Sequence, residues 1–244
     1  MSFSTVRKRH GLKNAIVYMA FRCVQKCMVF DVTTILLADT NSTNAVDTVG
    51  EFEFRLLEAN EVRQYARERQ LDLEEHFADR LETGYDFCFG AFLCGQLVGY
   101  CFLALDSIEP EQNRSSHPKS GIGFSFGDDI AFRYKGFVHP SFRGQQIYPR
   151  LLNGAAAAMG QRGVRYILST NEVINFSMRK CMQRMGYKIV GYAIACGFGN
   201  HIWVRVSNLS GFGIEWGSAA KIADRCEASE IETTSKFVRQ STVS

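Results

Sequence analysis

The stretch Phe137–Tyr148, Phe-Val-His-Pro-Ser-Phe-Arg-Gly-Gln-Gln-Ile-Tyr, decides the fold. Tyr134, Phe137 and Val138 read as the end of a strand. Pro140 has no N–H to donate, so strand pairing stops there. Arg143 and Gly144 open a turn, after which Ile147, Leu151, Ala155 and Ala158 recur at helical spacing. Pro149 falls in the first helical turn, where a missing N–H costs nothing. Such a turn aims several unbonded backbone N–H groups at one point, and the helix dipole adds partial positive charge. The product is an anion site suited to a pyrophosphate.

Around this turn the pattern alternates strands and helices. Ile130–Val138 reads as a strand, with Arg133 and Lys135 two residues apart and therefore on one face. Arg165–Thr170 reads as a short strand after Gly163, so strand, helix and strand make a crossover between parallel neighbours. Upstream, Phe52, Phe54 and Leu56 alternate with charged residues as a strand. Helices follow at 59–70 and 73–83, then a hairpin of 85–93 and 97–105 turning through Cys94 and Gly95. Residues 106–128 form a long loop. Downstream, a helix at 175–185 precedes a hairpin of 187–195 and 201–206.

The N-terminus is basic, with Arg7, Lys8, Arg9, Lys13, Arg22 and Lys26 and no acid before Asp31. Leu12, Ile16, Met19 or Ala20, and Cys23 mark an amphipathic helix within residues 1–26. It either lies on an anionic membrane surface or a partner, or packs on the domain with its basic face in water. Residues 27–37 read as a strand and 39–50 as a polar linker. The domains expected are therefore a basic extension at 1–50, a core domain at 51–207, and a tail at 208–244 that is weak helix or disorder.

Hydrophobic residues make up 46% of the 244 and charged residues 22%, the balance of a soluble globular protein. A net charge of +3 is too small to imply nucleic acid. The eight cysteines lack paired zinc spacing, so no metal is expected, and core packing as reduced thiols is expected for each. No apolar run approaches the roughly 20 residues that span a bilayer, and no secretory signal is read. The expected compartment is the cytoplasm.

The run from Phe137 to Leu152 resembles the acetyl-CoA pyrophosphate loop of the GNAT superfamily of N-acetyltransferases, Val-x-Pro followed by Arg/Gln-x-x-Gly-x-Gly/Ala and a helix. Arg143 matches the first signature position. Gln146 stands where the first later Gly is usual, and Tyr148 where the last Gly or Ala is usual. A second match, Asn171–Gly191, is similar to the family's Asn-x-Ser/Ala helix followed by Gly-Phe/Tyr and a strand, with Asn175, Ser177, Gly186 and Tyr187 at the expected spacing. The resemblance covers about 52–206. It implies an α/β fold with a mixed sheet of about six to seven strands, helices on both faces, and a splay between strands 4 and 5.

The resemblance further implies direct transfer of an acetyl group from acetyl-CoA to a primary amine. Phe137 and Val138 would meet the pantetheine arm and thioester. Backbone N–H groups of Arg143, Gly144, Gln145, Gln146, Ile147 and Tyr148 would hold the pyrophosphate, and Asn175 and Ser177 the arm. Where many members carry a Tyr as general acid, this chain has Met182. Glu172, Asp129 and His139 are the candidate bases. Arg133 and Lys135 are candidate ligands for an acidic acceptor, itself either a small-molecule or a peptide amine. The rival reading is a non-catalytic acyl-CoA sensor or docking module on the same fold.

Overall fold

The computed structural model describes residues 3–42, 51–113, 121–198 and 201–217. Its helices are α1 Phe3–His10, α2 Leu12–Cys27, α3 Ala59–Ala66, α4 His76–Glu82, α5 Ile147–Gly160 and α6 Phe176–Arg184. Its strands are β1 Val29–Asp39, β2 Phe52–Leu57, β3 Asp86–Leu93, β4 Gln96–Leu105, β5 Ser107–Ile108, β6 Gly123–Ser125, β7 Ile130–Val138, β8 Tyr166–Glu172, β9 Lys188–Phe198, β10 His201–Val206 and β11 Glu215–Gly217.

Eight strands form one mixed sheet in the order β10-β9-β1-β8-β7-β4-β3-β2. The parallel pair is β7 with β8, the crossover read from the sequence. Cys94 and Gly95 both take positive φ, the left-handed pair that a two-residue hairpin needs between β3 and β4. The N-terminal strand joins the main sheet: β1 pairs β8 on one side and β9 on the other. This insertion raises the sheet above the six to seven strands expected.

One face of the sheet is covered by α5 and α6, whose Leu151, Leu152, Met159 and Met182 bury against Leu36, Phe89 and Leu103. The other face has two covers. Val62 and Phe77 of α3 and α4 pack on Phe92, Tyr100 and Phe102. A second sheet, β11-β6-β5, places Phe124 over Phe132 and Leu168. The loop expected at 106–128 thus contains β5 and β6, residues 114–120 lie outside the described residues, and β11 comes from the expected tail. The rest of that tail, 218–244, lies outside the described residues, as do 43–50 of the linker.

The N-terminal helix is two helices, broken where Gly11 takes φ +85°. The face of α2 chosen for burial also differs from the expectation. Ala15, Tyr18 and Phe21 pack with Ile174 and Phe176, while Leu12, Ile16 and Met19 are exposed. Both faces of α2 are apolar enough to bury, and the aromatic face fits Phe30 and Phe176. The cysteines also divide. Cys88 and Cys101 are buried, which pushes both thiols up, to about 12 for Cys101. Cys23, Cys27 and Cys94 are exposed, so core packing does not hold for them.

Candidate functional site

Strand pairing itself creates the cleft. β7 and β8 are in register only from Ile130–Tyr166 to Arg133–Ser169. Beyond that point β7 stays with β4 as far as Val138, and β8 stays with β1 as far as Glu172. Each strand is held by its outer neighbour, so the two part from one another toward their C-terminal ends.

A bulge in β7 marks the point of parting. Phe102 pairs with Lys135 and Leu103 with Arg133, which leaves Tyr134 without a partner residue in β4. An extra residue shifts the alternation of side chains. Arg133 and Lys135 therefore do not share a face, contrary to the expectation from their spacing. Lys135 lies over the Phe77 ring at 4.8 Å with Asp72 at 3.7 Å, on the α4 side. Arg133 is 6% exposed and turns to the α5 and α6 side, where it meets Ser169 and Tyr148.

The turn at the mouth of the cleft has the predicted shape. Pro140–Phe142 forms one tight helical turn, capped by His139 Nδ1 accepting from the Ser141 N–H at 3.3 Å. Gly144 takes φ +89° and Gln146 φ +58°, immediately before α5. The Arg143 N–H donates to Pro140 O at 3.3 Å, and the Arg150 N–H to Gln146 O at 3.3 Å. Between them, the N–H groups of Gly144 to Tyr148 have no backbone acceptor among the described residues. A Cβ at Gly144 would meet nothing within 4 Å. The cradle is open and its N–H groups face it without backbone partners, as an anion site at a helix N-terminus requires.

Tyr148 is the unexpected feature. Its ring lies against Gly136 of β7, where a Cβ would stand 2.7 Å from the Tyr148 hydroxyl. That hydroxyl accepts from Arg133 Nη1 at 2.6 Å. Burial pushes its pKa up to about 12, against the opposing pull of Arg133. The ring lies over β7 beside the parting strands, at the position where the motif that the chain resembles has Gly or Ala, and the missing side chain of Gly136 leaves room for it.

Asn175 caps α6, its Oδ1 accepting from the Met178 N–H at 3.3 Å. The cap uses the oxygen, and the NH₂ has no hydrogen-bond acceptor among the described residues. Ser177 lines two cavities. One, of about 480 Å³, runs between α5 and α6 along Gln146, Asn153, Lys180 and Arg184. The other, of about 230 Å³, lies between α6 and the α1–α2 pair and includes His10, Arg22 and Glu172. Ser177 Oγ and His10 Nε2 are 3.1 Å apart.

The three candidate bases do not converge. Asp129 precedes β7 at the closed end, with its carbonyl taking the N–H groups of Arg165 and Tyr166. Glu172 ends β8, 3.8 Å from Arg22. His139 follows β7 beside the turn. Met182 is buried in the core under α6 and offers no proton. Ser169 and Gly136 escaped the sequence reading, because nothing local marks a residue that only pairing brings to the cleft.

The sequence model of the acetyltransferase (GNAT) family matches residues 54–187. No curated protein sequence matches the chain. Among solved structures, a GNAT-family protein from Novosphingobium aromaticivorans is similar at 15% identity and TM-score 0.45, over 70% of this chain and 66% of that one. A tandem GNAT protein from the clavulanic acid biosynthesis pathway is similar at 14% identity and TM-score 0.48, over 83% and 72%. AAC(6')-Iy, solved with the bisubstrate analog CoA-S-monomethyl-acetylneamine, is similar at 19% identity and TM-score 0.43, over 64% and 98%. The chain thus spans about two thirds of the length of the first of these.

Proposed function

The chain belongs to the acetyltransferase (GNAT) family, and from that premise we propose that it transfers the acetyl group of acetyl-CoA to a primary amine. The observation that carries the reading is the open cradle of N–H groups without backbone acceptors at Gly144 to Tyr148, set beside a cleft between parallel strands. Those N–H groups hold the pyrophosphate, with Arg143 beside it. The unpaired edge of β7 at Phe137 and Val138 meets the pantetheine arm, and Asn175 and Ser177 meet it from α6. Tyr148 crosses that path, so binding rotates its ring out of the cleft.

Bound acetyl-CoA supplies an activated acyl carbon. The chain's own work is to orient it and manage one proton. The amine nitrogen bonds to the carbonyl carbon, the carbon–sulfur bond breaks, and the amine gives up a proton. Glu172 is the base that we assign, directly or through a water, because it ends the strand that borders the cleft. Asp129 lies at the wrong end of β7. His139 accepts at Nδ1, which leaves its proton on Nε2 and no free lone pair. With Met182 apolar, the sulfur leaves as thiolate, whose conjugate acid has an ordinary pKa of about 8.5. A cytoplasmic location belongs to the same reading, supported by eight cysteines without paired spacing.

The test is calorimetry with acetyl-CoA, followed by release of free thiol across a panel of small-molecule and peptide amines. We expect saturable binding and amine-dependent thiol release. Binding without turnover throughout the panel would instead establish a sensor, the reading that Met182 and the position of Tyr148 favour. Absence of binding would overturn both.

We also propose that α1 and α2 touch an anionic membrane surface. The exposed Leu12, Ile16 and Met19 adjoin basic residues of both helices. The chain should sediment with vesicles containing phosphatidylserine and lose them as salt rises. Equal sedimentation with neutral vesicles would remove the proposal.

A further inference from the structure

Arg133 is a buried guanidinium whose hydrogen bonds among the described residues all go to neutral hydroxyls. Nε and Nη2 donate to Ser169 Oγ, and Nη1 to the Tyr148 hydroxyl. Among the described residues no carboxylate lies within ion-pair distance of it. Arg80, less buried, holds the Asp86 carboxylate at 2.5 Å, and Arg55 holds Glu61 at 2.7 Å. A buried cation without a counter-charge is costly, and a fold keeps one at a ligand site more readily than in a core.

Its place is specific. Arg133 and Ser169 are the last pair in register before β7 and β8 part. The guanidinium does not stay at that depth. Its partner hydroxyl also stands 2.7 Å from the Cβ position of Gly136, so the charged head reaches along the cleft to within one hydroxyl of Gly136. Gly136 adjoins Phe137, where the acyl end of the donor is placed above. An Arg has five N–H donors, and three are engaged among the described residues. The guanidinium fork matches a carboxylate in two-point contact.

We infer that Arg133 and Ser169 form a carboxylate-binding subsite at the closed end of the cleft, with the Tyr148 hydroxyl standing in for a ligand oxygen until the ring swings out. The inference rests on the acetyltransferase reading of the cleft and deepens it. The carboxylate belongs either to the acyl group of the donor, as in a dicarboxylic acyl thioester, or to the amine acceptor.

The full chain and Arg133→Met are compared by calorimetry with succinyl-CoA, malonyl-CoA, butyryl-CoA and acetyl-CoA. A donor carboxylate predicts that succinyl- or malonyl-CoA binds about tenfold tighter than butyryl-CoA. Arg133→Met should erase that preference while acetyl-CoA binds at least as tightly as before, because the variant also releases the Tyr148 hydroxyl. An acceptor carboxylate predicts no donor preference, but a lower KM for β-alanine than for propylamine that Arg133→Met abolishes. Tyr148→Phe, which removes the competing oxygen, should sharpen whichever preference is found. Unliganded Arg133→Met should match or exceed the native Tm. Preference for neither kind of carboxylate overturns the subsite, as does a lower Tm with preference intact, which would make Arg133 structural. Failure of acetyl-CoA itself to bind would count against the acetyltransferase reading alone. The subsite is then read by malonate and succinate, which should raise the Tm of the native chain and not of Arg133→Met. No shift there overturns it.

Discussion

Gly144→Glu is expected to lower acetyl-CoA affinity by at least ~100-fold, a loss of about 3 kcal/mol. The cradle at Gly144 to Tyr148 is lined with N–H groups that have no backbone acceptor, and the space around Gly144 is empty. A glutamate puts a carboxylate into that space, where it takes the N–H groups and repels a pyrophosphate. Gly144 also has φ +89°, which strains any other residue. Gly144→Ala separates the two causes. Alanine carries the strain, about 1 kcal/mol, without the charge. It should cost less than about tenfold in affinity. Calorimetry on both variants, with circular dichroism melts as a folding control, decides the matter. Equal losses would mean that backbone strain, not charge, disables the turn. Unchanged affinity in Gly144→Glu would remove the pyrophosphate from this loop altogether.

The turn was legible because its signals are local. Pro140 and Pro149 restrict the backbone, Gly144 frees it for a positive φ, and the helix that follows repeats its apolar residues at 3.6. The β3–β4 hairpin was legible for the same reason. What was not legible depends on pairing between distant segments. Nothing within Val29–Asp39 says that it will slot between β8 and β9, because Thr34 meets Asn171 across 137 positions of sequence. The face that α2 buries depends likewise on that docking. The bulge at Tyr134 is the costliest omission. Alternation puts Arg133 and Lys135 together, and one unpaired residue sends them to opposite faces. Tyr148 shows a middle case. Its place in the motif marked it as unusual, but the direction of its ring depended on Gly136, twelve residues away and on another element.

Asp86→Ala is expected to destabilise the chain by about 3–5 kcal/mol, the range for breaking a buried ion pair. The Asp86 side chain is fully buried at the start of β3. It accepts from Arg80 Nε at 2.5 Å and Nη2 at 2.9 Å, and from the Tyr134 hydroxyl at 2.7 Å. Burial, and then Asp86, push the Tyr134 phenol far up, so it remains a donor throughout the working pH range. Removing the carboxylate leaves a largely buried guanidinium without its counter-charge and a buried phenol without its acceptor. Tyr134→Phe should cost only about 1 kcal/mol, since one hydrogen bond is lost and no charge is left alone. Arg80→Met combined with Asp86→Ala should recover part of the loss, because both charges are then gone. Urea denaturation of the four chains measures these differences. An Asp86→Ala variant within about 1 kcal/mol of the native chain would show that the pair contributes no more than an exposed one. The consequence for the site follows from position. Tyr134 is the unpaired residue of the bulge, and its phenol is tied through Asp86 to β3 and α4. That tie holds the kink that turns Arg133 into the cleft. Asp86→Ala should therefore weaken any carboxylate preference more than it weakens acetyl-CoA binding, since the turn at Gly144 is anchored separately by β7's pairing with β4.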